Sequence, residues 1–244
     1  MRANTTEPMP ADCAGTACLG RLVDFAEPTA DDVCLDVGYG DGPIAAAMRS
    51  RVRHVATVYA TAADAAPRRV PVPATADNAF RTSMEERPGT PPVRASALSL
   101  PYRDGVFTLI TARYALHRLS DPVAAVREML RVCRPGGRLV VAGRIQTDSI
   151  KTPWDPMRMG APSLTRLTGL LAEAGADVRR LDVFVVERPA EPWLAGCDDE
   201  RAGEIRTALV AEIDGGPRTG ARPRMIGGEL WFTQCCAHIA AVRA

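Results

Sequence analysis

No uninterrupted apolar run in this 244-residue chain reaches the roughly 20 residues that a membrane-spanning helix needs, so no such anchor is expected. The first ten residues, Met1-Arg-Ala-Asn-Thr-Thr-Glu-Pro-Met-Pro10, lack the apolar centre of a signal peptide, and the protein is expected to stay in the cytoplasm. Neither sign of charge dominates: 30 Lys and Arg face 29 Asp and Glu. The basic stretch Arg49-Ser-Arg-Val-Arg53 is short and close to acidic segments, so nucleic acid is not expected as a partner. Paired C-x-x-C spacing is also missing. Of seven cysteines only Cys13 with Cys18, and the adjacent Cys235 and Cys236, lie close together, so we read them as reduced thiols packing as small apolar residues and expect no metal site. With no internal repeat or low-complexity tract, and 46% hydrophobic against 24% charged residues, one ordinary globular domain is expected over residues 1–244.

The chain punctuates itself into alternating elements. An amphipathic helical segment at 19–25 precedes a break at Pro28 and Asp31-Asp32, and Val33-Cys-Leu-Asp-Val37 then reads as a buried strand. A glycine turn follows, and Pro43 opens an Ala-rich helix through Met48, where a proline in the first turn sacrifices no hydrogen bond. Further strands are predicted at 54–58, 93–95 and 106–112, with a helical stretch at 75–87 between the first two. Asp121-Pro122 starts a helix whose apolar residues Val123, Val126, Leu130 and Cys133 recur at helical spacing, and Pro135-Gly136-Gly137 is expected to stop it before a strand at 138–142. A helix at 163–174, a strand at 178–186, a helix at 198–213, a turn-rich basic stretch at 215–228 and a last strand at 230–242 complete the pattern. Strands alternating with helices argue an α/β fold, a parallel sheet with helices on both faces.

Asp36-Val-Gly-Tyr-Gly-Asp-Gly42 places glycines at every second position between a strand and a helix. Residues without Cβ atoms let the main chain press against a ligand, and the helix start beyond them offers free N–H groups; a tight turn with no ligand would also use glycine. Dinucleotide folds usually show G-x-G-x-x-G, whereas this turn is G-x-G-x-G preceded by an acid. It resembles motif I of the class I S-adenosylmethionine (SAM)-dependent methyltransferases. Downstream, Leu100-Pro-Tyr-Arg-Asp-Gly-Val-Phe107 is similar to that family's "LPF-DGSFD" segment, the run from Tyr114 to Pro122 is similar to its post-strand motif, and Arg131-Val-Cys-Arg-Pro-Gly-Gly-Arg-Leu139 is similar to "RVLRPGGRL". The nearest likeness is to the ubiquinone/menaquinone-biosynthesis type and to small tailoring methyltransferases.

The resemblance implies a Rossmann-like, seven-stranded, mostly parallel sheet whose last strand is antiparallel, with SAM across the carboxyl ends of the first strands and S-adenosylhomocysteine as product. It implies a small-molecule acceptor, in specialised natural-product metabolism, and a monomer or homodimer. Asp36 would help hold the methionine amino group, and Gly38, Tyr39, Gly40 and Gly42 would line the cofactor. Segments 145–162 and 187–228 would form lid or substrate-side insertions, with Trp154, Met157 and Met159 as candidates for an apolar acceptor site.

Two family acids are missing. The ribose-gripping position at the end of the second strand is Tyr59, and the adenine-side position is Ser96, followed by Ala97. Loss of one charged hydrogen bond, worth about 1.5 to 3 kcal/mol, would weaken cofactor binding about tenfold to a hundredfold. Either the pocket compensates, or the fold serves work without methyl transfer, as a cyclase, an isomerase or a silent partner subunit. His117, just beyond the fourth strand, is the first candidate for a general base, with Arg113 beside the cofactor and Tyr114 beside the substrate. His238 is expected in the core and His54 at the surface.

Overall fold

A computed structural model of the chain describes residues 16–38, 43–60, 93–146, 161–195 and 198–243. The helical stretch expected at 75–87 lies outside them. The strands are β1 (Val33–Gly38), β2 (His54–Ala60), β3 (Val93–Ala95), β4 (Phe107–Arg113), β5 (Cys133–Arg144), β6 (Ala176–Pro189), β7 (Arg224–Ile226) and β8 (Glu229–Arg243). The helices are α1 (Thr16–Ala26), α2 (Pro43–Met48), α3 (Pro122–Val132), α4 (Leu164–Glu173), α5 (Ala190–Leu194) and α6 (Asp199–Ile213). Among the described residues no helix is long and apolar enough to cross a membrane.

The sheet runs β3-β2-β1-β4-β5-β8-β6, with β7 attached to β8. Pairings β1 with β2, β1 with β4, β2 with β3 and β4 with β5 are all parallel. Leu35 and Val37 on one face of β1 are as buried as Cys34 on the other, the signature of a central parallel strand covered on both sides. Strand β8 reverses: Ile145 N donates to Cys235 O, while the Arg243 charge acts on Cys133 at the other end of β5.

The chain divides into two compact units. The first gathers Leu19–Gly143, Thr165–Asp182 and His238–Ala244, and holds β1 to β4 with most of β5. In its core Leu22, Val23 and Ala26 of α1 and Ile44 and Met48 of α2 pack with Cys34, Leu109, Val140 and Ala240 from the sheet. Truncating one of these larger side chains to alanine removes about 2 to 5 kcal/mol. At the amino edge of this sheet Asp32 accepts from Thr108 Oγ1 and, at 2.6 Å, from Arg138, whose guanidinium also donates to Ala26 O and Glu27 O at the end of α1. Burial raises the Asp32 pKa, but Arg138, Thr108 and Thr29 N outweigh it and hold the carboxyl at about 2. The second unit contains α5 and α6, with a core that includes Trp193, Ile205, Leu209 and Phe232.

Several expectations need correction at element ends. Pro135-Gly136-Gly137 stops α3 but does not precede the strand: β5 already begins at Cys133. Gly136 takes φ +74°, and the register with β4 shifts between Phe107 and Leu109, so the strand absorbs the glycines as a bulge. A Cβ on Gly137 would sit 2.7 Å from Cys133 Sγ and 2.9 Å from Arg134 O, so only glycine fits there. Within the 215–228 stretch lies a hairpin in which Ile226 pairs with Glu229 across Gly227 and Gly228, both at positive φ. Asp121 and Asp198 cap α3 and α6 as their positions predict, accepting from Ala124 N and Arg201 N.

Candidate functional site

In the parallel sheet the chain moves outward from β1 through β2 to β3, then crosses back to β4 on the other side of β1. The carboxyl ends of β1 and β4 therefore flank the switch point where open α/β sheets place their ligands. Asp36 lies one pair short of that edge, opposite Thr111. Its carboxyl is 4% exposed, accepts from Thr111 Oγ1 at 2.8 Å, and accepts from Ala45 N near the start of α2. Burial raises its pKa to about 6 against the opposing effects of Thr111, Ala45 N and the Arg113 charge. A buried carboxyl held near its titration point is an expensive group to keep.

Gly38 ends β1 directly opposite Tyr59 on β2, and Tyr59 stands opposite Arg94 on β3, whose guanidinium lies 5.6 Å from the Tyr59 ring centre. A Cβ built on Gly38 meets no heavy atom within 4 Å among the described residues. Its φ is not in the left-handed region, so neither crowding nor backbone conformation demands glycine here.

Ser96 follows β3. Its Oγ accepts from Leu98 N at 3.1 Å and its carbonyl from Ser99 N, so the hydroxyl is partly spent on closing its own turn, while Ala97 is fully buried. The loop beyond is clamped by α3. Glu128 accepts from Leu100 N, and Arg131 donates to Leu100 O, Tyr102 O, Asp104 and Glu128. This clamp is the physical content of the "LPF" and "RVLRPGG" likenesses, and the motifs alone did not reveal that they bind each other.

On the other side of the switch point, Arg113 ends β4 with its guanidinium 4.8 Å from the ring centre of Tyr114. Tyr114 is 8% exposed, donates its N–H to Ala142 O, and has φ +52°. A left-handed aromatic residue costs about 1 to 2 kcal/mol and persists only where its surroundings impose it. His117 sits half-buried in the short 3-10 turn Leu116–Arg118 that follows. Asp36, Gly38, Tyr59, Ser96, Ala97, Arg113, Tyr114 and His117 all belong to the first compact unit.

Tyr39, Gly40, Gly42, Trp154, Met157 and Met159 lie outside the described residues, as does Cys13. His238 is in the core as expected, 4% exposed, with Nδ1 3.7 Å from Asp182. Burial, with Arg21 and Arg113, lowers its pKa to about 4 against the pull of Asp182. His54, expected at the surface, is half-buried at the amino end of β2, and burial lowers its pKa. Among the described residues no three His, Cys, Asp or Glu side chains are grouped to hold a metal. Thr111, the partner of Asp36, carried no sequence signal, because its role depends on a register between residues 75 positions apart.

Residues 35–141 match the family described as "Methyltransferase domain". The demethylmenaquinone methyltransferase of Mycolicibacterium paratuberculosis is 51% identical over 140 residues, covering 57% of this chain and 54% of that protein. The chain spans between 22% and 54% of the length of the first four curated relatives it matches. Among solved structures, the YcgJ protein of Bacillus subtilis aligns over 92% of this chain and 97% of its own with a TM-score of 0.69 at 22% identity. A geranyl diphosphate methyltransferase in complex with SAM aligns over 94% and 85%, TM-score 0.58, 16% identity. The [4+2]-cyclase SpnF aligns over 99% and 85%, TM-score 0.56, 19% identity. At these identities the structural likeness concerns the fold: the chain has the mixed α/β, Rossmann-like architecture of the class I methyltransferases.

Proposed function

We propose, on the premise that residues 35–141 are the methyltransferase domain they match, that this chain is a SAM-dependent methyltransferase acting on a small molecule. The reading rests on one observation. Gly38 ends the central strand with no described residue within 4 Å of where its side chain would be, beside a buried carboxyl near its titration point and across from Tyr59.

When bound, SAM supplies an electrophilic methyl group. The chain's own part is to hold and to exclude water. Gly38 lets the main chain lie against the ligand. Asp36 fixes the start of α2 through Ala45 N and offers its remaining lone pairs and its charge to the methionine ammonium. Tyr59 and Ser96 replace the two missing acids with neutral acceptors, and Arg94 beside the Tyr59 ring adds a charge on the ribose side. His117 takes the proton from an acceptor hydroxyl or acidic carbon as the new bond forms. Segments 145–162 and 187–228, with Trp154 and Met157, supply the acceptor side in this reading, and the work belongs to specialised metabolism in the cytoplasm.

Calorimetry with SAM and S-adenosylhomocysteine tests the cofactor. Micromolar binding is expected, and Tyr59→Asp should tighten it about tenfold, the worth of one charged hydrogen bond. No binding at millimolar ligand would remove the methyltransferase reading. A second reading, a cyclase on the same fold, is favoured by the loss of both acids together with the likeness to SpnF. Product mass separates the two, since only methylation adds a methyl group.

A further inference from the structure

Strand β6 closes the sheet path, and among the described residues no strand pairs with its outer side. Along this one strand the burial alternates with a period of two. Val178, Arg180, Asp182, Phe184 and Val186 are half-buried, whereas Asp177, Arg179, Leu181, Val183, Val185 and Glu187 are exposed. Leu181, Val183 and Val185 are 46%, 46% and 60% exposed, three consecutive apolar positions on an open edge. Such an edge invites pairing with another chain unless something blunts it.

We propose that two copies of this chain join by antiparallel pairing of their β6 strands about a two-fold axis at Val183. The exposed row reads Arg179, Leu181, Val183, Val185, Glu187, and it is complementary to its own reverse. In that register Arg179 of one copy stands opposite Glu187 of the other, Leu181 opposite Val185, and Val183 opposite itself. Directly opposite residues share a face of the sheet, so all five side chains meet like with like or charge with countercharge. Slipping the register by two residues in one direction sets Asp177 against Glu187 and Arg179 against Val185. The opposite slip sets Leu181 against Glu187. The register centred on Val183 therefore pairs both charges and sets all three apolar residues against apolar residues. Within one copy Arg179 pairs with Asp177, and Glu187 with Arg224 of β7, so each charge exchanges an exposed partner for one across the axis on association. A two-fold interface of this kind is isologous, the commonest arrangement among homodimers.

Sedimentation velocity of the full chain at increasing concentration reads the association. A dimer is expected, weakened at least about tenfold by Arg179→Glu or by Glu187→Arg, since each sets like charges opposite one another at both ends of the strand. The double variant carrying both changes restores the opposite-charge pairs and should recover wild-type affinity. Because Val183 faces its own copy across the axis, Val183→Cys should give a disulfide-linked dimer under mild oxidation that the wild-type chain does not give. Far-UV circular dichroism establishes that each variant is folded, and Val183→Cys is conservative enough to report even where a charge reversal unfolds. A monomeric wild-type chain at hundreds of micromolar, a double variant as weak as the singles, or a Val183→Cys variant that does not cross-link would each overturn the proposal.

Discussion

Replacing Asp36 by asparagine should change how stability responds to pH, whatever it does to stability at any single pH. The ordinary carboxyl value is 3.8, and burial in the folded chain raises it to about 6. A carboxyl that binds its proton more tightly in the folded state stabilises that state below the unfolded value, and this contribution is lost as pH rises toward the folded value. A rise from 3.8 to about 6, at about 1.4 kcal/mol for each pH unit, gives about 3 kcal/mol in all, of which about 2 kcal/mol is lost between pH 4 and pH 7 because pH 4 already lies above the unfolded value. Asparagine keeps the size of the side chain and an oxygen to accept from Thr111 and Ala45 N, but it has no proton to lose in this range. The wild-type chain and Asp36→Asn should therefore diverge by about 2 kcal/mol over that interval, with the variant gaining as pH rises. His238 opposes the trend in both proteins, because its lowered pKa makes the folded state lose stability as pH falls from 6.5 toward 4, and it cancels in the comparison. Urea unfolding followed by circular dichroism at pH 4, 5, 6 and 7 measures the divergence. A constant difference across those four points would show that Asp36 is already charged at pH 4, and the site would then hold no expensive carboxylate.

His117→Ala should lower the methyl-transfer rate about a hundredfold or more while leaving calorimetric SAM affinity unchanged, if the imidazole is the base; an unaltered rate removes it from the chemistry. Asp32→Asn should destabilise the chain most above pH 4, and its deficit should shrink by about 2 kcal/mol as pH falls from 5 to 2, because the stability contributed by a depressed carboxyl is present above its unfolded pKa and lost on acidification through its folded one. At Tyr114, alanine and glycine both remove the ring, yet alanine retains the left-handed penalty; thermal unfolding should show Tyr114→Ala less stable than Tyr114→Gly by about 1 kcal/mol, and the reverse order would contradict the φ of +52°.

Much of the architecture was legible because it is written locally. The apolar run of β1, the proline at the start of α2, the Asp121-Pro122 entrance to α3 and the glycine after α4 each announce an element through the hydrogen bonds that their residues can or cannot make. Less legible were features that need a partner. The bulge that carries Gly136 and Gly137 into β5 exists because that strand must fit against Phe107 and Thr108 of β4, and the glycines alone read as a stop. The Gly227-Gly228 hairpin did carry a local signal, hidden within a stretch whose charges and prolines resemble a loop.

For the site, residue order along the chain determined which groups could lie at the carboxyl edge of the strands: Asp36 and Gly38 after one apolar run, Tyr59 after the next, Arg113 to His117 after another. Only tertiary structure decided what those groups are. Parallel register set Asp36 against Thr111 and Gly38 against Tyr59, burial pushed the Asp36 carboxyl toward neutrality, and the pairing of Tyr114 N with Ala142 O accompanies a left-handed backbone at that residue. Spacing along the chain encodes hydrogen-bonding capacity and apolar periodicity, whereas desolvation, register and strain arise between segments that meet only when the sheet forms.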